Sequence, residues 1–235
     1  HFNLNFLFLE GDGELRHHVQ NVGLLFLFQL PLLIYGLYRF FQKIDKGKLF
    51  IISWLLIVPL GAITGSEVPH AIRSYSMVIP LTIITTFGLV ELYKIVRYKK
   101  IYVSVFAFII FLSSAIYFDE YFKHYPVYSA PSWQFATKQA ALTTKSLEDK
   151  YSQITVDSQN IEQAYIFWLF YTKYDPADYQ ISGSKKGFGK YVFDSNPPII
   201  AKSLYVTNTL PANFEKIQTI YFPDGERALE IGSIQ

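Results

Sequence analysis

Hydrophobic positions are concentrated in the first half of the chain, where four apolar stretches are separated by short charged loops. A helix needs roughly 20 mostly apolar residues to cross a hydrocarbon core about 30 Å thick, and fewer when flanking side chains snorkel. The pattern predicts four transmembrane helices, at about residues 22–38, 49–65, 75–93 and 101–118. Buried helices of a large soluble protein are the alternative, which the repetition of such stretches disfavours.

The second half alternates short β-branched runs with helical patterns, which predicts a small α/β domain. Helices are expected at residues 133–150 and 161–174, and strands at 154–157, 191–193, 204–206, 217–222 and 228–231. The last two strands flank Asp224-Gly225, a strong hairpin signal. The expected fold is an α-helical integral membrane bundle followed by a small extracytoplasmic α/β domain. Its parts are an extracytoplasmic segment at residues 1–21, a transmembrane region at 22–118 and the α/β domain at 119–235.

Basic residues in the loops indicate an orientation. The loops after the first and third stretches hold Arg39, Lys43, Lys46 and Lys48, and Lys94, Arg97, Lys99 and Lys100. Both loops are expected to be cytoplasmic by the positive-inside rule. Residues 1–21, the loop 66–74 and everything after residue 119 then lie outside. We expect a multi-pass protein of a bacterial or archaeal cell membrane.

Composition adds two limits. The formal net charge of the 235 residues is +2, too small to indicate nucleic acid as a partner. No cysteine is present, which excludes disulfides and thiolate chemistry. Because the chain begins with His1 and its single methionine is Met77, we expect a fragment or a processed product.

The first candidate site precedes the first apolar stretch. Asp12, Arg16 and His17 stand there with Glu14 and His18. Arginine and histidine side chains bind phosphate, and carboxylates serve acid, base or metal chemistry. The alternative is an interfacial loop whose polar residues face lipid headgroups.

The second candidate site is the loop between the second and third stretches, which holds Glu67, His70 and Arg73. Arg73 follows His70 by three residues, so a helical start to the third stretch would point both side chains the same way. A guanidinium at the membrane surface suits an anionic lipid headgroup. The alternatives are snorkelling and an ion pair between Arg73 and Glu67.

These motifs resemble a known family. Gly11-Asp12 followed by Arg16-His17, then Pro69-His70-Ala71-Ile72-Arg73 and Pro80, is similar to the C-terminal half of GT-C membrane glycosyltransferases of family 39 type. That type includes dolichyl-phosphate-mannose protein mannosyltransferases, aminoarabinose transferases and the RgtA/B/C/D-like domain. Residues 121–126, followed by Trp133 and a helix, look like the start of the family's extracytoplasmic domain.

The resemblance implies transfer of a sugar from a polyprenyl-phosphate carrier to a glycan, lipid or protein acceptor at the outer membrane face. His70 and Arg73, then Arg16 and His17, would bind the lipid phosphate, with Asp12 and Glu67 orienting these side chains. The family's catalytic acidic loop is expected upstream, so this part alone would be inactive. No cofactor is expected, and metal dependence stays open. A non-catalytic membrane anchor displaying a binding domain is the alternative function.

Overall fold

The computed structural model describes residues 1–63, 65, 68–159 and 161–234. Within these residues the chain forms two compact units, His1–Tyr125 and Pro126–Gln235. The first unit is helical, and the second contains a six-stranded mixed sheet.

Four helices dominate the first unit: α1 (Gln29–Gln42), α2 (Lys46–Ala62), α3 (Val78–Ile95) and α4 (Lys99–Asp119). A π-helical turn, Asn5–Leu9, precedes them, and a 3₁₀ turn, Tyr75–Met77, leads into α3. Beyond α4 the helical backbone continues through the π-helical turn Glu120–His124 into α5 (Tyr125–Tyr128).

Two helices of the described residues are long and apolar enough to cross a membrane, Tyr75–Ile95 with 21 residues and Lys99–Tyr128 with 30. The expected four-span bundle is therefore wrong. Helix α1 has 14 residues and α2 has 17. At 1.5 Å per residue they reach about 21 Å and about 26 Å, short of a hydrocarbon core of about 30 Å.

The first apolar stretch is shorter as a helix because its beginning forms other backbone hydrogen bonds. Leu25 N–H donates to the carbonyl of Leu7 at 2.8 Å, in the π-helical turn, and Phe26 N–H donates to Oε1 of Gln29 at 2.8 Å. Helix α1 begins only at Gln29. Pro31 lies in its first turn, where a missing N–H leaves no bond unmade.

The second apolar stretch begins earlier than expected. Oδ1 of Asp45 accepts the N–H of Lys48 at 2.9 Å and caps α2, so the first turn contains Lys46 and Lys48. The helix ends at Ala62. Helix α2 therefore contains a charged first turn, and its apolar part is shorter than the hydrophobic pattern indicated.

Helices α1 and α3 pack with their backbones in contact. A Cβ atom added to Gly36 would lie 2.2 Å from the carbonyl oxygen of Ile84, and one added to Gly88 would lie 2.2 Å from that of Leu32. About one turn further along both helices, Nη2 of Arg39 lies 2.7 Å from Oε2 of Glu91. Small residues at a helix crossing permit this approach, which strengthens packing between membrane helices.

Helix α4 buries none of its residues. Phe108 and Phe111 are 64% and 70% exposed, and further apolar side chains are exposed along the helix. A core helix of a soluble protein would bury such side chains, because their exposure to water is unfavourable. The bare apolar surface of α4 requires a non-aqueous environment or a partner.

The second unit is built on the sheet. Its strands are β1 (Gln153–Asp157), β2 (Gly187–Phe188), β3 (Tyr191–Asp194), β4 (Ser203–Thr207), β5 (Glu215–Tyr221) and β6 (Arg227–Ser233). They lie in the order β2-β3-β1-β4-β6-β5, with β1 parallel to β3 and β4 and the other pairs antiparallel. The five expected strands are confirmed. So is the hairpin, in which Gly225 has φ +88° and Phe222 N–H donates to the carbonyl of Glu226 at 2.8 Å.

Helices α6 (Thr137–Leu147) and α7 (Ala164–Thr172) pack together in this unit, and a short helix, α8 (Pro176–Ser182), follows. Trp168 is fully buried among sheet residues, and its Nε1 donates to Oγ1 of Thr144 at 3.0 Å. Both longer helices begin later than expected. Gln134 and Gln163 adopt left-handed φ angles of +56° and +53° just before them.

The close contact between α1 and α3 at Gly36 predicts that replacing this glycine with alanine destabilises the protein. Gly36→Ala should lower the free energy of unfolding of the detergent-solubilised protein by about 1–3 kcal/mol, because the new methyl group meets the backbone of α3. Gly61→Ala in α2 is the matched control, since a Cβ there meets nothing within 4 Å. Thermal unfolding of both variants measures the difference. Equal stability of the two would contradict backbone contact at this crossing.

Candidate functional site

The candidate site forms around the carboxylate of Asp12, which is 8% exposed. Its Oδ2 accepts the backbone N–H of Ala71 at 2.6 Å and lies 2.7 Å from Nδ1 of His17. Its Oδ1 accepts the N–H of Glu14 at 3.0 Å. One side chain thus joins the N-terminal segment to the loop before α3, 59 residues away.

The hydrogen bonds determine the charge of Asp12. Burial alone raises the pKa of a carboxyl group, and it is the largest single effect here. The N–H of Ala71, the ring of His17 and the N–H of Glu14 together outweigh it and hold the pKa of Asp12 below its usual value. Asp12 is therefore an anion at neutral pH, buried and with its oxygens occupied.

Two imidazole rings stack beside this anion. The rings of His17 and His70 have centroids 4.3 Å apart and planes inclined by 26°. His70 is 7% exposed, and its Nδ1 accepts the backbone N–H of Arg73 at 3.3 Å. One ligand atom from each of Asp12, His17 and His70 lies within 4.8 Å of the others. We call these three residues the Asp-His-His cluster.

The ring of His18 lies beside the cluster and is held by two backbone carbonyls. Its Nδ1 lies 2.7 Å from the carbonyl of Val19 and its Nε2 lies 2.9 Å from that of Asp12. Carbonyl oxygens only accept hydrogen bonds, so both contacts are satisfied together only by the protonated ring. Gly11 makes room for it, with φ +73° and a Cβ position 2.3 Å from Cε1 of His18.

The cluster is defined by its geometry alone, since comparisons with known proteins identify no relative. No family model, curated protein or solved structure matches the chain. A buried carboxylate holding an imidazole is an arrangement that serves proton transfer, anion binding and metal ligation alike.

A cavity of about 660 Å³ adjoins the cluster. His17 and His18 line it, and so does Ala71, whose N–H binds Asp12. The other lining is mainly apolar or aromatic and includes Phe26, Val78 and Thr82 of α3, and Tyr117 of α4. The cavity thus extends from the histidines along the first turns of one membrane-length helix and contacts a second.

The remaining expected site residues are placed differently. Arg16 forms two bonds to Glu14, with Nε 3.0 Å from Oε1 and Nη2 3.2 Å from Oε2. The hydrogen bond from the Arg16 side chain is the main reason that the pKa of Glu14 is lowered. Arg73 is exposed, and a Cβ added to Gly65 would lie 1.5 Å from its Nη1, so the guanidinium covers that glycine. Glu67 lies outside the described residues.

Sequence reasoning missed two parts of the site. It considered His18 only as part of a general histidine pair, although the ring is fixed by two carbonyls. It gave no role to the backbone N–H of Ala71, which makes the shortest bond to Asp12. The adjacent histidines and Gly11 were the available signals for the first. A backbone donor carries no side-chain signal at all.

The charge of Asp12 predicts a pH-dependent loss of stability. Because its pKa is lowered in the folded state, its stabilising contribution is complete above the ordinary carboxyl value of about 4 and is lost as the pH falls through the lowered pKa. Asp12→Asn should cost about 1–3 kcal/mol at pH 7, and its difference from the parent should shrink below about pH 4. Thermal unfolding measured from pH 7 down to about pH 2 checks this.

Glu10→Gln is the control for that series, because Glu10 is exposed and accepts only a 3.4 Å bond from Asn5. Its stability should follow that of the parent protein at every pH. A pH-independent deficit for Asp12→Asn would mean that shape, not charge, is what Asp12 supplies.

Proposed function

We propose that the chain is the C-terminal part of a membrane glycosyltransferase that moves a sugar from a polyprenyl-phosphate carrier to an acceptor outside the membrane. The observation that supports this most is the cavity, in which two histidines adjoin a mainly apolar lining. A polyprenyl phosphate likewise joins a polar, anionic group to an apolar chain. The resemblance of residues 11–17 and 69–73 to GT-C enzymes of family 39 type points the same way.

The proposed membrane arrangement follows from the two membrane-length helices. Lys94, Arg97, Lys99 and Lys100 lie where α3 ends and α4 begins, which favours a cytoplasmic connection. The loop that holds His70, just before Tyr75, and the residues after Tyr128 then lie on the extracytoplasmic side of a bacterial or archaeal membrane. The exposed apolar surface of α4 supports contact with lipid or with further membrane helices.

Carrier binding accounts for the composition of the cavity. Val78 and Thr82 lie one and two turns into the Tyr75–Ile95 helix, and Tyr117 lies on the Lys99–Tyr128 helix. An isoprenoid chain entering from the bilayer would lie against such side chains without losing its apolar contacts. Its phosphate would reach His17 and His18, whose ring N–H groups can donate hydrogen bonds to an anion.

The reaction itself needs stabilisation of a leaving phosphate. An acceptor hydroxyl attacks the anomeric carbon and gives its proton to a general base. The bond from that carbon to the phosphate oxygen breaks, and the lipid phosphate leaves with the electron pair. Fixed cations near that oxygen lower the barrier. We assign this cationic role to Arg73, and we expect His17 and His70, whose Nδ1 atoms face Asp12 and the N–H of Arg73, to donate hydrogen bonds to that oxygen through Nε2. We assign the general base to no residue of this chain.

Filling the cavity should weaken carrier binding. Val78→Trp places a large ring in the lining and should weaken the binding of farnesyl phosphate by at least about tenfold, a loss of 1.4 kcal/mol or more. Val90→Trp is the matched control on the same helix, because Val90 is exposed and does not line the cavity. Tryptophan fluorescence or calorimetry in detergent measures both. Equal affinities would exclude this cavity as the carrier site.

Removing the exposed guanidinium tests the phosphate contact. Arg73→Ala should weaken farnesyl phosphate binding about three- to tenfold and leave farnesol binding unchanged, because only the phosphate meets the cation. Arg97→Ala removes the same charge at the other end of α3 and should change neither. If Arg73→Ala and Arg97→Ala bind farnesyl phosphate alike, Arg73 has no part in carrier binding.

The alternative, a membrane anchor that displays a binding domain, predicts a different set of results. The parent protein would then bind farnesyl phosphate no better than farnesol. The complete protein, assayed with a polyprenyl-phosphate sugar, would also transfer no sugar. Either result would favour the anchor over the transferase.

A further inference from the structure

We propose that Asp12, His17 and His70 bind one divalent transition-metal ion, best represented by Zn²⁺. The three residues each present one ligand atom, and these atoms lie within 4.8 Å of one another. Asp12 and His70 are buried, and His17 retains 12% of its side-chain exposure. The site therefore combines protection from bulk water with a route of entry past His17.

The ligand types suit such an ion. Two imidazole nitrogens with one carboxylate oxygen form a common protein ligand set for zinc sites that keep a fourth position open. His17 also lines the cavity, so the open position would adjoin it. A water molecule or a phosphate oxygen is the natural fourth ligand.

The cluster is already supported in the way that metal ligands require. The N–H groups of Ala71 and Glu14 orient the carboxylate of Asp12, and these bonds are 2.6 Å and 3.0 Å long. The hydroxyl of Ser74 donates to the carbonyl of His70 at 2.6 Å and holds the backbone that carries the second imidazole. Outer hydrogen bonds of this kind typically strengthen metal affinity by 10- to 100-fold.

The ligands need a small rearrangement, in which the 3.3 Å bond from the N–H of Arg73 to Nδ1 of His70 breaks, because a neutral imidazole bound to a metal has no second lone pair. Ligand atoms around a tetrahedral zinc lie roughly 3.3 Å apart when each is about 2.0–2.1 Å from the ion. The 2.7 Å contact between Oδ2 of Asp12 and Nδ1 of His17 would open slightly, and the wider separations in the cluster would close. The ion would take the place of the hydrogen that Nδ1 of His17 directs at Asp12, and a neutral His17 would then carry its hydrogen on Nε2.

The test uses the full, tag-free chain in detergent, stripped with a chelator and titrated with Zn²⁺ or Co²⁺. We expect one bound ion per chain by elemental analysis, with a dissociation constant below about 1 µM and visible Co²⁺ bands of tetrahedral geometry. His17→Ala and His70→Ala should each weaken binding by at least about 100-fold. A parent protein that binds neither ion in this range would overturn the proposal without any variant being made.

His124→Ala is the matched control, because it removes an exposed histidine outside the cluster. It should bind metal as the parent does; a loss equal to that of His70→Ala would show that binding is not at the cluster. His17→Gln and His70→Gln retain polarity and side-chain length, so circular dichroism and thermal unfolding can identify folded variants for the comparison. The proposal does not rest on sugar transfer. Metal binding with no carrier binding would refute the proposed function alone.

Discussion

The buried anion of Asp12 is the constraint on which the rest of the first unit's site depends. A carboxylate at 8% exposure is costly unless its oxygens are hydrogen-bonded. The three groups that satisfy it come from two distant parts of the chain, Glu14 and His17 on one side and Ala71 on the other. Once these bonds form, His17 is brought against His70, and the loop before α3 is positioned beside the cavity. Satisfying one charge thus assembles the whole cluster.

Backbone hydrogen bonding explains where hydrophobicity misleads. An apolar stretch indicates burial or contact with lipid, but it does not say where a helix begins. Residues 22–28 are mainly apolar, yet Leu25 bonds to Leu7 and the helix starts only at Gln29. The close crossing at Gly36 and Gly88 was equally hidden, because each glycine gains its meaning from a backbone on another helix. The strands were predictable since β-branched runs and the Asp224-Gly225 turn are local signals.

In the site, too, the sequence predicts which residues are candidates but not which of them are in contact. Asp12, His17 and His70 were predictable as candidates from residue type alone, because acids and imidazoles beside apolar stretches are chemically suggestive. Their contact was not, since it depends on a bond across 59 residues. Arg16 illustrates the opposite case. It was a candidate for phosphate, but Glu14 lies two residues away and takes up its guanidinium through two bonds. A cation with an adjacent acid is less available to a ligand than the sequence pattern suggests.

Charge balance connects the proposed carrier site with the proposed metal site. Asp12 carries a fixed negative charge, and the pair of Glu14 and Arg16 adds no net charge. A phosphate approaching His17 would therefore be repelled by Asp12 unless positive charge nearby exceeds that of the carboxylate. The ring of His18 can offset at most one negative charge, which leaves the phosphate unmatched. A divalent ion held by the Asp-His-His cluster would supply the excess at the cavity wall, where lower water access strengthens its attraction for the leaving oxygen. Without the ion, the guanidinium of Arg73 would have to offset the charge of the phosphate.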